Sequence, residues 1–513
     1  MDRDVEKAST NSGTMDAEES APTFAPIQST SRISKTRSRA SGSLYRSRSQ
    51  NGYSCDPDND NDKDEDSPSG EPEKDPFEVG WENGDEDPLC PRSFKKARKW
   101  VIVFIVSFAS LCVTGASSIY TSTYAQMEAE FGNSRIVSTL GLSLFVLGIA
   151  LGPMFLSPLS EFYGRRPIYL VSWSLYVIWI IPQAVAKNIA TVLVGRFLDG
   201  FSGSAFLAVS GGTVGDLFSK HELQLPMLMF SISPFIGPSL GPLIGGFINY
   251  NTHWRWTYYV LLIWGFGLLM GIVFLVPETY HPILIRNKAR KVRKETGDDR
   301  WQAPNEKIQK SVVSAVSRSL LRPFQLLIFE PMCLNLCIFS AILLGILYLF
   351  FGAFPLVFSK VYGFNLWQIG LTFLGIFTGM IAAAGLDPVW HRIRSNLVRR
   401  LSEETGIEGS SEPEFRLPPA ILGSVLVPAG IFMFGWSCYP WVHWIVPIIG
   451  SAIFGAGTLL IFSGIFTFLV DAYPQYAASA LAANALVRCA FAGESLEFFI
   501  PHFPPPRPIS SPP

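Results

Sequence analysis

Residues 193–218 read LVGRFLDGFSGSAFLAVSGGTVGDLF, and two charges, Arg196 and Asp199, stand three apart within this apolar run. On a helix that spacing puts both on one face, where they can pair. If the run lies in a membrane, each charge is expensive, and an intramembrane ionisable residue is a functional candidate by default. A structural ion pair is the other reading. A second constellation is SPLSEFYGRRP, residues 157–167. There Glu161 sits at a helix end, Gly164 permits a tight turn, and Arg165 and Arg166 follow, an arrangement able to form a charge-paired latch between helices. A basic loop that only sets topology would look similar. The third is SISPFIGPSLGPLIGGFI, residues 231–248. Gly237, Gly241 and Gly245 recur every four residues along one face with Gly246 beside it, while Pro234, Pro238 and Pro242 remove amide donors and bend a helix. A face without side chains lets another helix backbone come close, either to slide and seal or simply to pack.

The elements that must hold these groups are legible as long apolar runs. The chain has 513 residues, of which 48% are hydrophobic and 16% charged, with mean hydropathy +0.26, too apolar for an ordinary soluble protein of this size. From Trp100 onward, stretches long enough to cross a hydrocarbon core of roughly 30 Å recur. They fall at about 101–121, 136–157, 167–185, 189–215, 226–249, 257–276, 329–352, 367–386, 418–436, 442–469 and 476–500. Lys and Arg concentrate in PRSFKKARKW, GRRP, the 277–328 loop and WHRIRSNLVRR, whereas the alternate loops hold Lys187, Arg255 and Lys360. The positive-inside rule then places the N-terminus and the central loop in the cytoplasm.

The expected organisation is a disordered tail over 1–99, a six-helix bundle over 100–276, a cytoplasmic loop over 277–328, a second bundle with five recognisable spans over 329–500, and a proline-rich tail over 501–513. The Ser/Arg-rich run STSRISKTRSRASGSLYRSRSQ and the acidic run DPDNDNDKDEDSPSGEPEKDP have too few apolar residues to build a core. No short apolar segment with a cleavage site precedes them, so insertion is expected to start at the first internal span. A net charge of −1 points to no nucleic-acid partner, and the seven cysteines show neither a disulfide framework nor a zinc spacing. Two bundles joined by a basic loop is the layout of a secondary transporter whose halves rock about a midplane site. No filter-like loop, G-x-x-x-x-G-K-[ST] motif, G-x-S-x-G motif, metal constellation or dinucleotide fingerprint supports a channel, pump or enzyme, and no cofactor is expected.

Several of these stretches resemble the major facilitator superfamily, in particular the fungal drug:proton antiporters with twelve spans. G-x-x-x-G-P-x-x-G-G at Gly237, Gly241, Pro242, Gly245 and Gly246 is similar to that family's antiporter motif, which the resemblance links to export and to limiting proton leak. SPLSEFYGRRP resembles the G-x-x-x-[DE]-[RK]-x-G-R-[RK] loop, with Ser157 and Phe162 departing from it. The resemblance of 193–218 to the fourth-helix motif implies a role in proton coupling for Arg196. VPETYHPILIRNKARKVRKETGD (276–298) is similar to the family signature after span six, and GWENGDEDPLCPRSFKKARKW (80–100) to its pre-membrane box, with Cys90 and Phe94 departing. EPEFRLPPAILG and DAYPQYAASALAANALVR also resemble the family, so that the likeness runs from about 80 to 492.

The implied fold is an all-α polytopic membrane protein of two six-helix bundles. After AANALVRCAFAG the chain reads ESLEFFIPHFPPPRPISSPP, and proline at this density is expected to make no twelfth spanning helix. A gene-model error, a truncated protein and an eleven-span form are the three explanations. Cavity candidates on spans expected to face the bundle interface are Tyr120, Tyr124, Tyr348, Phe351, Asn484 and Arg488. The expected function is proton-coupled export of small amphipathic or cationic drugs, toxins or polyamines across a fungal membrane, most simply the plasma membrane with the vacuolar membrane as a second choice, by a monomer that meets lipid, protons and substrate. A nutrient or polyamine importer and a non-transporting remnant are the alternatives.

Overall fold

The computed structural model describes residues 77–81, 87–219, 222–306, 312–405, 411–473 and 476–502. The Ser/Arg-rich and acidic runs and the proline-rich stretch beyond His502 lie outside the described residues.

Apolar runs too long for a globular core become helices because a backbone in hydrocarbon must satisfy its own hydrogen bonds. The first half holds α1 (Lys96–Phe131), α2 (Arg135–Tyr163), α3 (Arg165–Ala184), α4 (Ile189–Leu217), α5 (Gln224–Asn251) and α6 (Arg255–Leu275). Two further helices, α7 (His281–Thr296) and α8 (Val312–Phe329), occupy the polar interruption. The second half holds α9 (Pro331–Lys360), α10 (Leu366–Thr372 continued by Leu374–Gly385), the polar extension α11 (Asp387–Thr405), α12 (Pro418–Trp436), α13 (Ile445–Ala472) and α14 (Ala477–His502). Among the described residues ten helices are long and apolar enough to cross a membrane, and the apolar part of α14 is Ala477–Gly493. All eleven expected spans therefore coincide with helices.

Within the first half α1 packs most extensively on α5, α2 on α4, and α3 on α4 and α6. Within the second, α12 packs on α13, α9 on α14 and α10 on α13. The halves meet where α2 touches α14 and where α5 touches α10, and α8 lies against both α2 and α14.

Three internal prolines do not break α5, which is helical throughout Gln224–Asn251. Pro234 cannot donate to the carbonyl of Phe230, and the Ser233 hydroxyl donates to that same oxygen at 2.8 Å, so the freed group is satisfied locally.

The polar tail expected to reach residue 99 gives way by Phe77 to a docked segment. Val79 donates to the Gln302 carbonyl at 3.0 Å and Gln302 to that of Phe77 at 3.1 Å, forming a parallel bridge. Val79, Ala289 and Ala303 make a small core with Ile285 and Trp301. The Lys288 ammonium reaches the Asp87 carboxylate at 3.1 Å and the Gly80 carbonyl at 3.2 Å. Composition averaged over the tail hides these few apolar residues, which are enough to clasp α7. At the opposite end of the first half, Glu130 accepts from the Trp254 indole and from Arg255, both at 2.6 Å, tying α1 to the start of α6.

Candidate functional site

Arg196 and Asp199 both lie fully inside the first half, 0% and 1% exposed. They do not form the direct ion pair that their spacing allows. The Arg196 guanidinium instead reaches α1, where Nη1 donates to the Ala116 carbonyl at 3.0 Å and Nη2 to the Ser117 carbonyl at 3.2 Å. It lies over the rings of Tyr120, at 4.5 Å, and Phe145, at 4.3 Å. Asp199 faces α3, where Oδ2 accepts from Gln183 at 3.4 Å, while Oδ1 is buried without a hydrogen-bond partner. The planar fork of arginine suits two adjacent carbonyls, and the two aromatic faces attract the cation. Those two features together draw the side chain away from the carboxylate one turn along.

The carbonyl that Arg196 holds belongs to a residue that crosses between halves. The Ser117 hydroxyl meets the Tyr348 hydroxyl of α9 at 3.1 Å. Tyr348 packs edge-to-face on Phe351, with ring centres 5.1 Å apart, and Tyr120 on Tyr124 in the same way at 5.1 Å. A chain of contacts thus runs from Arg196 through α1 to Tyr348, with Asp199 one turn along α4 beside it. Asn484 and Arg488 sit elsewhere, on α14: the Asn484 amide donates to Ser340 of α9 at 2.6 Å, and Arg488 lies among Phe235, Phe462 and Phe466. The six cavity candidates therefore form separate groups. Between the halves a void of about 20 Å³ is lined by Thr121, Ser122, Pro242, Phe351 and Gly370 among others, room for about one water.

The glycine motif serves two contacts. A Cβ at Gly241 would meet the Gly115 carbonyl at 2.6 Å and the Ile119 amide at 2.7 Å, and Gly237 and Gly245 face α1 in the same way. These three set the seam inside the first half. Gly246 faces the other half: a Cβ there would meet the Leu366 carbonyl at 2.9 Å, and one at Gly370 the Pro242 carbonyl at 2.7 Å.

The latch is built largely from groups the loop motif does not contain. Gly164 has φ +100°, which side chains rarely adopt, and a Cβ there would strike the Glu278 carboxylate. Glu278 accepts from the Arg165 amide at 2.9 Å and the Arg166 amide at 3.1 Å, capping the start of α3 with a negative charge. The Arg165 side chain donates to Asp216 at 3.4 Å and to Ser160 at 2.8 Å and lies 4.8 Å over the Tyr280 ring. Arg166 donates to the Val273 carbonyl at 3.2 Å, His281 reaches the Asp216 carbonyl at 2.9 Å, and Glu161 is exposed at the end of α2. Asp216 and Glu278 were missed in the sequence although both stand in quoted motifs, because their partner Arg165 is far away along the chain. Glu278→Gln keeps the shape and loses the charge at the helix start, worth about 1 kcal/mol. Transport by this variant is expected to fall roughly five- to tenfold at unchanged membrane content, measured as initial rates in vesicles.

Residues 106–493 match the Major Facilitator Superfamily. The chain is 54% identical over 409 residues to efflux pump atB of Aspergillus terreus, covering 80% of this chain and 78% of that one. It is 42% identical over 423 residues to the probable drug/proton antiporter YHK8 of Saccharomyces cerevisiae, covering 82% and 81%. Among solved structures, the partially occluded inward-open xylose transporter XylE of E. coli superposes with a TM-score of 0.54 at 14% identity, covering 78% of this chain and 91% of that one. The match over most of its length and the relatives it resembles show that the chain belongs to the major facilitator superfamily.

Proposed function

We propose that the protein is a proton-coupled exporter of small amphipathic compounds working by alternating access. Its N-terminus and the α7–α8 segment face the cytoplasm, and a monomer in the plasma membrane is the simplest setting. The observation that carries this reading is the contact chain from Arg196 through Ser117 to Tyr348, with the buried Asp199 three residues along the same helix. Asp199 supplies a carboxylate able to bind and release a proton. While it is protonated, Arg196 stays on the carbonyls of α1. When the proton leaves, the bare carboxylate competes for the guanidinium and loosens α1 where it touches the second half. Support for export comes from the relatives named as an efflux pump and a drug/proton antiporter, and support for the orientation from the basic loops.

Expression in a yeast strain lacking its own exporters should lower accumulation of a fluorescent amphipathic dye, and collapse of the proton gradient should restore it. Unchanged accumulation by a correctly inserted chain would sink this reading. Tyr348→Phe removes one hydrogen bond between halves, worth about 1 kcal/mol. Its transport rate is expected to fall about fivefold, read in the same dye assay.

A further inference from the structure

Arg196 is held by carbonyls, whereas a second guanidinium, half-buried on α14, meets the Cys489 thiol and three aromatic rings. Arg488 lies on α14, about midway along the part that follows Ala477, and its Nε and Nη1 are buried without a hydrogen-bond partner. Among the described residues no carboxylate pairs with it. Arginine stays charged under all conditions met in proteins, so its charge needs an answering group. What surrounds it is aromatic: its Cζ stands 5.1 Å from the Phe466 ring centre, 5.3 Å from Phe462 and 5.9 Å from Phe235. Cation–π contacts are weaker than a paired counter-ion. One turn back, Asn484 is fully buried and its Oδ1 also lacks a partner.

The rings come from both halves. Phe462 and Phe466 share α13 with the second half, whereas Phe235 belongs to α5 of the first and stacks on Phe462 at 5.0 Å with 17° between planes. Phe235 is the ring of the three that belongs to the first half, so parting of the halves would carry it away from the guanidinium.

Resting on the exporter reading, we propose that Arg488 is the anion-recognising subsite of this transporter, that its substrates are aromatic organic anions carrying a carboxylate or sulfonate, and that Phe235 is the cover that closes over them. The guanidinium fork matches a carboxylate or sulfonate in two parallel hydrogen bonds, and Phe462 and Phe466 offer faces for an aromatic body. Charge arithmetic points the same way. Among the described residues Arg196 has Asp199 one turn along its own helix, whereas no carboxylate is described beside Arg488. An anion crosses beside it as a neutral pair, while a cation meets repulsion.

The test uses the full chain in liposomes with an acidic lumen, so that protons leaving draw substrate in. Two permanently charged aromatic probes are compared, tritiated 1-naphthalenesulfonate and ethidium. The sulfonate is expected to enter at least tenfold faster than ethidium. Arg488→Gln should lower the sulfonate-to-ethidium ratio at least tenfold, and Arg488→Lys, which keeps the charge, should still prefer the sulfonate. Ethidium entering faster than the sulfonate in the unaltered protein, or a ratio within twofold of the original in Arg488→Gln, overturns the subsite and leaves the exporter reading standing. Entry of neither probe overturns both.

Discussion

Arg196→Ala is expected to abolish gradient-driven transport, by at least about a hundredfold, while leaving the protein inserted and folded. Two hydrogen bonds from a charged donor, at about 1.5–3 kcal/mol each, tie α4 to the α1 carbonyls of Ala116 and Ser117. Their loss frees those carbonyls inside the membrane and leaves Asp199 with no positive neighbour to compete for. Arg196→Lys keeps a charge but not the fork that spans two carbonyls, and is expected to recover only part of the rate. The measurement is initial uptake into vesicles with and without an imposed pH difference, alongside the amount of protein in the membrane. A fully coupled alanine variant would remove Arg196 from the proton path.

Gly370→Leu is the second large effect, and it tests motion rather than chemistry. A Cβ at this position meets the Pro242 carbonyl at 2.7 Å and the Leu243 Cα at 3.2 Å. Both are backbone atoms of the opposite half and cannot step aside. An isobutyl group there holds α5 and α10 apart, so the halves fail to close on that face. Transport is expected at background, while a cysteine at Thr121, which lines the void under the same seam, becomes more reactive to a membrane-impermeant maleimide. Gly267→Leu serves as the control, since nothing stands within 4 Å of a Cβ there, and its rate should stay within twofold. Unchanged labelling at Thr121 together with full transport in Gly370→Leu would show that this seam does not seal.

Much of this was legible in the chain because membrane helices announce themselves by length and apolarity. The antiporter-type glycines were also legible, since their spacing is a property of a single helix. What the spacing did not tell is that Gly237, Gly241 and Gly245 face a neighbour in their own half and Gly246 one in the other. Arg196 and Asp199 mislead for a related reason. Neighbours on a helix face can pair, but two carbonyls on α1 and two aromatic rings outcompete a carboxylate held by Gln183. Asp216, Glu278 and the Phe235–Phe462–Phe466 group were illegible because each is assembled from segments far apart, and only the fold brings them together.

The clasp of Phe77–Trp81 and Asp87 on α7 has a consequence for how the protein is made. Asp87 and Lys288 are 201 residues apart, and everything between them is the first half. The segment leaves the ribosome before any span exists, yet its docking surface is synthesised only after the sixth. Closure of the clasp therefore comes only after all six helices of the first half have been made, and the segment waits undocked until then.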